Sequence, residues 1–198
     1  CKFIKNMNIK EIFGPWKKGI VLDKHVLKSE YLGENQYGRP MFDTKRSDIG
    51  QSLFLLKYRN DWDQIPMLVD ALSSAITQNF GEKIGFIIPM PASNNRDRQP
   101  VYGLAEGLGQ ALEIPVFTNI LHKTKNGTSL KDLQTREEKE SVLVDSFSLY
   151  DGIRNDGCWN VLLIDDLFDT GATMEAACKV LSSYPKVKNI YVAALTWK

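Results

Sequence analysis

The stretch NVLLIDDLFDTGATMEAACKVL, residues 160–181, decides the fold and the candidate site of this chain. Four apolar residues at 161–164 are typical of a short buried strand, and they lead directly into Asp165 and Asp166. Small and hydroxyl-bearing residues follow at 169–173, and the apolar spacing of a helix comes next. This order predicts a strand, a turn and a helix, with two carboxylates at the carboxyl end of the strand.

The turn after the carboxylates has the composition of a phosphate-binding site. Backbone N–H groups at such a turn converge on an anion, the helix dipole favours negative charge, and hydroxyl groups add hydrogen-bond donors. Carboxylates accept hydrogen bonds from sugar hydroxyls and suit Mg²⁺. A ribose phosphate suits both groups, with its hydroxyls on the carboxylates and its phosphate on the turn. The alternative interpretation is that the two aspartates belong to a solvated loop or cap a helix. The turn residues are Asp169, Thr170, Gly171, Ala172 and Thr173.

Elsewhere in the chain, short apolar strands alternate with amphipathic helices. Apolar residues recur at helical spacing in three segments: 68–76, 101–112 and 177–184. The predicted strands are 84–91, 114–118, 146–150, 159–165 and 189–197. Residues 48–61 fit either a short helix or an extended pair. The alternation predicts an α/β fold with a central, mainly parallel sheet flanked by helices, and with ligands beyond the carboxyl ends of its strands.

The composition is that of an ordinary globular protein, with 43% apolar and 25% charged residues among 198. A formal net charge of +1 argues against autonomous nucleic-acid binding, and no apolar run approaches the roughly 18 residues of a membrane span. Cys1, Cys158 and Cys178 form no CxxC pair, which argues against a zinc ribbon or a disulfide framework. We therefore expect a cytoplasmic protein with no membrane partner and with Cys178 near the core.

Three other kinds of site with an acidic strand end lack their companion motifs here. A nucleotide hydrolase requires GxxxxGK[ST], which the sequence does not contain. A dinucleotide fold requires GxGxxG after its first strand, and the glycines at 103–109 have the wrong spacing. A phosphorelay receiver carries its acidic pair on the first strand, whereas this pair lies near the end of the chain.

The segment VLLIDDLFDTGAT, residues 161–173, resembles the phosphoribosyl pyrophosphate (PRPP) binding motif of type I phosphoribosyltransferases. The resemblance implies a Rossmann-like fold with an N-terminal hood. It also implies that Asp165 and Asp166 hold the ribose hydroxyls and that residues 169–173 surround the 5′-phosphate. In purine-salvage members with DTG in this turn, the aspartate exchanges a proton with the base. Asp169 would have that role, and a simple loop carboxylate is the alternative.

The chain is also similar to a narrower group, the ComF-like phosphoribosyltransferase domain, over about residues 43–198. The similarity is carried by RSDIGQSLFLLKYRND at 46–61 and by IIPMPASNNRDR at 87–98. The N-terminal zinc ribbon of many ComF proteins is not in this sequence. Gln-Pro-Val-Tyr at 99–102 replaces the Gly-Phe-Asn-Gln that usually follows the loop arginine.

The resemblance implies an enzyme of nucleotide metabolism that transfers a phosphoribosyl group from PRPP to a nitrogenous base or amine. Mg²⁺ would be its cofactor, bound by Asp165 and Asp166 directly or through water and substrate. The expected organisation is a hood at 1–60 and a transferase core at 61–198, with a flexible loop at about 119–145. Type I members are commonly dimers, so a homodimer is consistent with the resemblance.

Pyrophosphate requires cationic side chains, and two loops supply candidates. Arg96 and Arg98 follow the strand at 84–91, and Lys123 and Lys125 lie at the basic start of the loop at 119–145. A polar loop of this length often acts as a lid that excludes water. Solvated surface residues are the alternative interpretation for the arginines.

The acceptor and the activity itself stay open at the level of sequence. Tyr31, Tyr37 and Phe42 either stack on an acceptor base or simply pack the hood. The alternative function is a non-catalytic regulator that binds PRPP or a nucleotide, or a ComF-like protein linked to competence and DNA processing. The basic loop favours the enzyme, and the replaced residues at 99–102 favour the regulator.

Overall fold

A computed structural model describes residues 5–92, 96–124 and 132–198. None of the helices in these ranges is long and apolar enough to cross a membrane. In chain order the elements are β1 (Lys10–Glu11), β2 (Lys18–Lys24), β3 (Val26–Glu34), β4 (Pro40–Arg46), α1 (Asp48–Tyr58), a 3-10 turn (Trp62–Gln64), α2 (Ile65–Asn79), β5 (Phe86–Pro89), α3 (Pro100–Leu112), β6 (Leu121–Lys123), α4 (Arg136–Asp145), β7 (Phe147–Leu149), β8 (Trp159–Phe168), α5 (Ala172–Leu181) and β9 (Val187–Trp197).

Five of these strands form the central sheet, in the order β1-β2-β9-β8-β5. Strand β2 is parallel to β9, β9 to β8 and β8 to β5, whereas the edge strand β1 is antiparallel to β2. The predicted α/β fold with a mainly parallel sheet is therefore confirmed. Parallel strands bring their carboxyl ends to one edge of the sheet, and β8 carries Asp165 and Asp166 at that edge.

Successive residues of β8 point into two different cores. Leu162 and Ile164 pack with α1, α2 and α3 on one face of the sheet, and Val161 and Leu163 pack with α5 on the other. All four side chains are fully buried. Burial on both faces explains why the apolar run is continuous rather than alternating. Cys178 of α5 lies in the second core, as expected, and burial raises the pKa of its thiol to about 12.

The segment 114–118 does not form the predicted strand. It meets the sheet at an isolated bridge between Ile87 and Val116. The N–H of Ile87 donates to the carbonyl of Pro115, and the N–H of Phe117 donates to the carbonyl of Ile87, both at 2.9 Å. Pro115 has no N–H group with which to extend the ladder, so the pairing stays short.

The segment 119–145, expected to be a loop without structure of its own, contains β6 and α4 in its described part. Helix α4 begins with a capping box. In it the Thr135 hydroxyl accepts a hydrogen bond from the Glu138 N–H, and the Glu138 carboxylate accepts one from the Thr135 N–H. Leu143 and Val144 pack the last turn of α4 against the second core.

Residues 1–60 are expected to form a hood, and the described part, 5–60, contains two strands of the central sheet, a separate hairpin and α1. Strands β1 and β2 belong to the central sheet, and α1 packs on it in the first core. Strand β2 enters the sheet because its apolar run from Ile20 to Leu22 is buried beside β9. The β3–β4 hairpin forms a separate antiparallel sheet, and its residues are absent from both cores. That this hairpin covers an acceptor stays a prediction.

Candidate active site

Two adjoining cavities meet at the carboxyl end of β8. The larger, about 330 Å³, is lined from α1, the loop after β5, the start of α3, β6 and β8. The smaller, about 120 Å³, is lined by Asp165 and residues 167–174. Asp165 and Thr173 line both cavities. The candidate site therefore lies beyond the strand ends, where a parallel sheet places its ligands.

The smaller cavity is formed by the turn between β8 and α5. Gly171 caps the N-terminus of α5 with φ +86° and ψ −5°, a left-handed conformation that favours glycine. The N–H of Ala172 donates to the Thr170 hydroxyl at 3.3 Å. The first N–H groups of a helix have no acceptor within the helix, so this turn presents backbone donors to an anion. Asp169 lines the same cavity and is exposed.

The carboxylate pair is contacted by a lysine, Lys57, that is not predicted as a site residue from the sequence. Lys57 Nζ lies 2.8 Å from Asp166 Oδ2, and the two side chains are 23% and 15% exposed. Burial and the charge of Asp166 hold the pKa of Asp165 well above its usual value. Burial also acts to raise the pKa of Asp166, but Lys57 and hydrogen bonds outweigh it and hold that pKa below its usual value. Burial and Asp166 thus oppose the ionisation of Asp165, whereas Lys57 favours the ionised form of Asp166.

The predicted pyrophosphate residues are only partly brought together. Arg96 and Lys123 line the larger cavity with the two aspartates. The Arg96 guanidinium donates to the Lys57 carbonyl at 3.2 Å, which joins the loop after β5 to the end of α1. Arg98 instead stacks on the Trp62 ring, 3.9 Å from its centroid, and does not line the larger cavity. Lys125 lies outside the described residues.

Lys57 and Tyr58 line the larger cavity, and neither is predicted from the sequence to belong to the site. They end α1, in the segment 48–61 that fits either a helix or an extended pair by its sequence. Leu53 and Leu56 are buried in the first core, at the spacing of one helical face. That spacing indicates the helix, but it does not show that the last turn reaches a strand end far along the chain.

The three hairpin aromatics lie outside both cores. The Tyr31 and Phe42 rings contact each other across β3 and β4 with centroids 5.7 Å apart, and they are 60% and 58% exposed. Tyr37 is 77% exposed at the turn. Tyr31 and Phe42 thus pack on each other within the hairpin, and stacking of any of the three on an acceptor base stays a prediction.

Replacing Asp165 by asparagine is expected to stabilise the ligand-free protein progressively as the pH rises above about 4. Burial holds the pKa of Asp165 above its usual value, so the folded protein retains a proton that the unfolded chain releases. The wild-type protein therefore loses free energy of unfolding as the pH rises toward the folded pKa, whereas the asparagine amide stays neutral. Urea unfolding at about pH 4.5 and about pH 7.5 should show a gain on the order of 1 kcal/mol at the higher pH only.

Asp166→Asn is the matched control for that measurement. The pKa of Asp166 is held below its usual value, so its carboxylate contributes stability above about pH 4, and this stability is lost as the pH falls through the folded pKa. The change to asparagine should therefore destabilise the protein at neutral pH. Equal effects of Asp165→Asn at both pH values would contradict the assignment of the retained proton to Asp165.

No protein-family model matches this chain. The chain is similar to the competence protein ComFC of Bacillus subtilis (strain 168), with 24% identity over 140 residues. The match covers 71% of this chain and 56% of that protein, so the chain spans little more than half the length of its curated relative. This match confirms the predicted resemblance to ComF-like proteins.

Two solved structures similar to this chain are an adenine phosphoribosyltransferase and a hypothetical protein. The adenine phosphoribosyltransferase of Trypanosoma brucei, solved in complex with AMP, pyrophosphate and ribose-5-phosphate, has a TM-score of 0.50 at 14% identity, over 96% of this chain and 75% of that one. A hypothetical protein from Neisseria gonorrhoeae with bound ppGpp has a TM-score of 0.43 at 23% identity, over 69% of this chain and 68% of that one. The likeness to the Trypanosoma enzyme confirms the predicted fold.

Proposed function

We propose that this chain, with the fold of type I phosphoribosyltransferases and a ComF-like sequence, binds PRPP with Mg²⁺ and transfers the phosphoribosyl group to a nitrogenous base or amine. The observation that carries the proposal is the pair of cavities that share Asp165 and Thr173. One is a backbone turn suited to a phosphate, and the other combines two carboxylates with Lys57, Arg96 and Lys123. A ribose with a phosphate at one end and a pyrophosphate at the other matches this arrangement of donors and acceptors.

The residues would act mainly by positioning and by placing charge. Asp165 and Asp166 would accept hydrogen bonds from the ribose hydroxyls, and the turn at 169–173 would hold the 5′-phosphate. The bond between C1 and the pyrophosphate oxygen breaks with its electron pair leaving on pyrophosphate, and a bond from C1 to the acceptor nitrogen forms. Arg96 and Lys123 would stabilise the leaving charge, and Asp169 would take the proton that the nitrogen releases.

The donor set fits Mg²⁺ held partly by the substrate. Mg²⁺ typically binds one or two carboxylates together with phosphate oxygens and water. The described residues contain no group of three or more His, Cys, Asp or Glu that could hold a metal, so Asp165 and Asp166 would hold the ion directly or through water, together with PRPP. When bound, Mg²⁺ adds positive charge beside the leaving pyrophosphate.

A second candidate function is a regulator that binds PRPP or a nucleotide without turnover, in a process linked to competence. Two observations favour it: the replaced segment at 99–102 lines the larger cavity at Gln99, Pro100 and Val101, and the curated relative is a competence protein. Both functions require the same PRPP site. A homodimer and a cytoplasmic location stay predictions from the sequence.

Calorimetric titration of PRPP into the protein, with and without Mg²⁺, tests the shared site. We expect a micromolar dissociation constant with Mg²⁺, about −8 kcal/mol, and no measurable binding by the double variant Asp165→Asn/Asp166→Asn. The matched control is Asp145→Asn/Asp156→Asn, which removes two exposed carboxylates that line neither cavity. Wild-type protein that does not bind PRPP would overturn the transferase and the PRPP-binding regulator.

Pyrophosphate release separates the enzyme from the regulator. Protein that binds PRPP is incubated with Mg²⁺ and a panel of purine, pyrimidine and simple amine acceptors. Release that depends on one acceptor and is lost in Asp165→Asn/Asp166→Asn supports the transferase. Binding without release for every acceptor supports the regulator.

A further inference from the structure

The ammonium group of Lys57 occupies a position beside the carboxylates that would suit a metal ion. Its Nζ is 2.8 Å from Asp166 Oδ2, inside the larger cavity. A cation bound directly to the same oxygen would lie next to the ammonium group and be repelled by it. The ammonium therefore already supplies a positive charge, and hydrogen-bond donors, to the acidic side of the site.

The backbone of Lys57 is held from two sides. The buried residues Leu53 and Leu56 fix α1 on the first core, and the Arg96 guanidinium donates to the Lys57 carbonyl. The ammonium and the carboxylate are mostly enclosed, at 23% and 15% exposed. Solvent screens an ion pair this sheltered less than a surface pair, so the attraction between the two side chains is stronger than in a surface pair.

Lys57, Lys123 and Arg96, the cationic side chains of the larger cavity, differ in the groups that they contact. Lys57 forms an ion pair with Asp166, whereas Lys123 lies over the Phe147 ring, 5.5 Å from its centroid. The Arg96 guanidinium hydrogen-bonds to a backbone carbonyl of α1. Of these three side chains, Lys57 is therefore the one whose charge neutralises Asp166, a carboxylate that would accept hydrogen bonds from the ribose hydroxyls.

We propose that Lys57 is a positioning residue that takes the place of a metal ion beside Asp166, so that the ribose 5-phosphate part of the ligand binds without Mg²⁺. Mg²⁺ then enters the site only with the pyrophosphate group of PRPP. The inference rests on the proposed function and deepens it by assigning the requirement for metal to one part of the ligand.

Titration with ribose 5-phosphate tests the proposal, because this ligand lacks the pyrophosphate. Wild-type protein should bind it equally well in EDTA and in Mg²⁺, within about twofold. Lys57→Met should lose about tenfold or more of its affinity in EDTA and regain most of it when Mg²⁺ is added. Lys57→Arg keeps the positive charge and should bind without requiring Mg²⁺.

Lys17→Met is the matched control, since Lys17 also pairs with a carboxylate, that of Glu82, and lines neither cavity of the candidate site. It should leave the ratio of affinities with and without Mg²⁺ near one. Wild-type binding that requires Mg²⁺, or unchanged binding by Lys57→Met in EDTA, would overturn the role of Lys57 while leaving the PRPP site intact. No wild-type binding of either ribose 5-phosphate or PRPP, under any condition, would overturn the proposed function itself. Thermal unfolding of each variant confirms that it is folded.

Discussion

Replacing Gly171 by valine should lower the affinity for ribose 5-phosphate by about 100-fold or more. The glycine has φ +86°, a conformation that a β-branched residue adopts only with strain. A Cβ atom there would lie 3.1 Å from Phe168 Cζ and 3.3 Å from Phe168 Cε2. The turn must therefore shift, and the N–H groups at the start of α5 lose their common direction. Loss of two charge-assisted hydrogen bonds corresponds to a decrease in affinity of about 100-fold or more, measured by calorimetry.

Gly157→Val is a closely matched control for that experiment. Gly157 also has a positive φ, +126°, and a Cβ there would lie 3.2 Å from the Trp159 ring. It lies in an exposed loop and lines neither cavity of the candidate site. It should therefore cost similar stability and leave ligand affinity unchanged. Equal binding losses in the two variants would show that general destabilisation, and not the turn, explains the result.

Replacing Leu162 by alanine should lower the free energy of unfolding by roughly 2–5 kcal/mol. Leu162 is fully buried in β8, among side chains of the first core. Its truncation removes apolar surface and leaves a cavity between the sheet and the helices, which the fixed strand register prevents from closing. Urea unfolding measures the change as a lower midpoint with an unchanged slope.

Leu32→Ala is the same substitution at an exposed position. Leu32 lies in β3 and is 58% exposed, so its truncation should change stability by no more than about 0.5 kcal/mol. A large loss for Leu32→Ala would show that the hairpin is covered in solution. A small loss for Leu162→Ala would contradict the two-sided burial of β8.

Local patterns made β8 and its turn predictable from the sequence. The apolar run, the two aspartates and the small residues before α5 are consecutive, so their order along the chain is also their order in space. The periodicity of α2 and α3 likewise reflects contacts made by one face of one helix. The capping box at Thr135 and Glu138 was also visible in the sequence, and it indicates α4, which the polar composition of 119–145 concealed.

Tertiary contacts explain what the sequence did not predict. The ion pair between Lys57 and Asp166 joins elements far apart in the chain, and no local pattern encodes it. Arg96 and Arg98 are two residues apart, yet one lines the larger cavity and the other stacks on Trp62. Their positions depend on how the loop after β5 meets α1 and the 3-10 turn. The entry of β2 into the sheet likewise depends on its partner β9.

The separation of the β3–β4 hairpin from both cores has an evolutionary consequence. A mutation within the hairpin alters no residue of either core, so selection can change its length and side chains with little cost to folding. A mutation at 161–164 in β8 alters one core or the other, and selection there is constrained by stability. Relatives of this chain should therefore diverge fastest in the hairpin and retain the strand and its turn, which allows a lineage to acquire new partners beside an inherited candidate site.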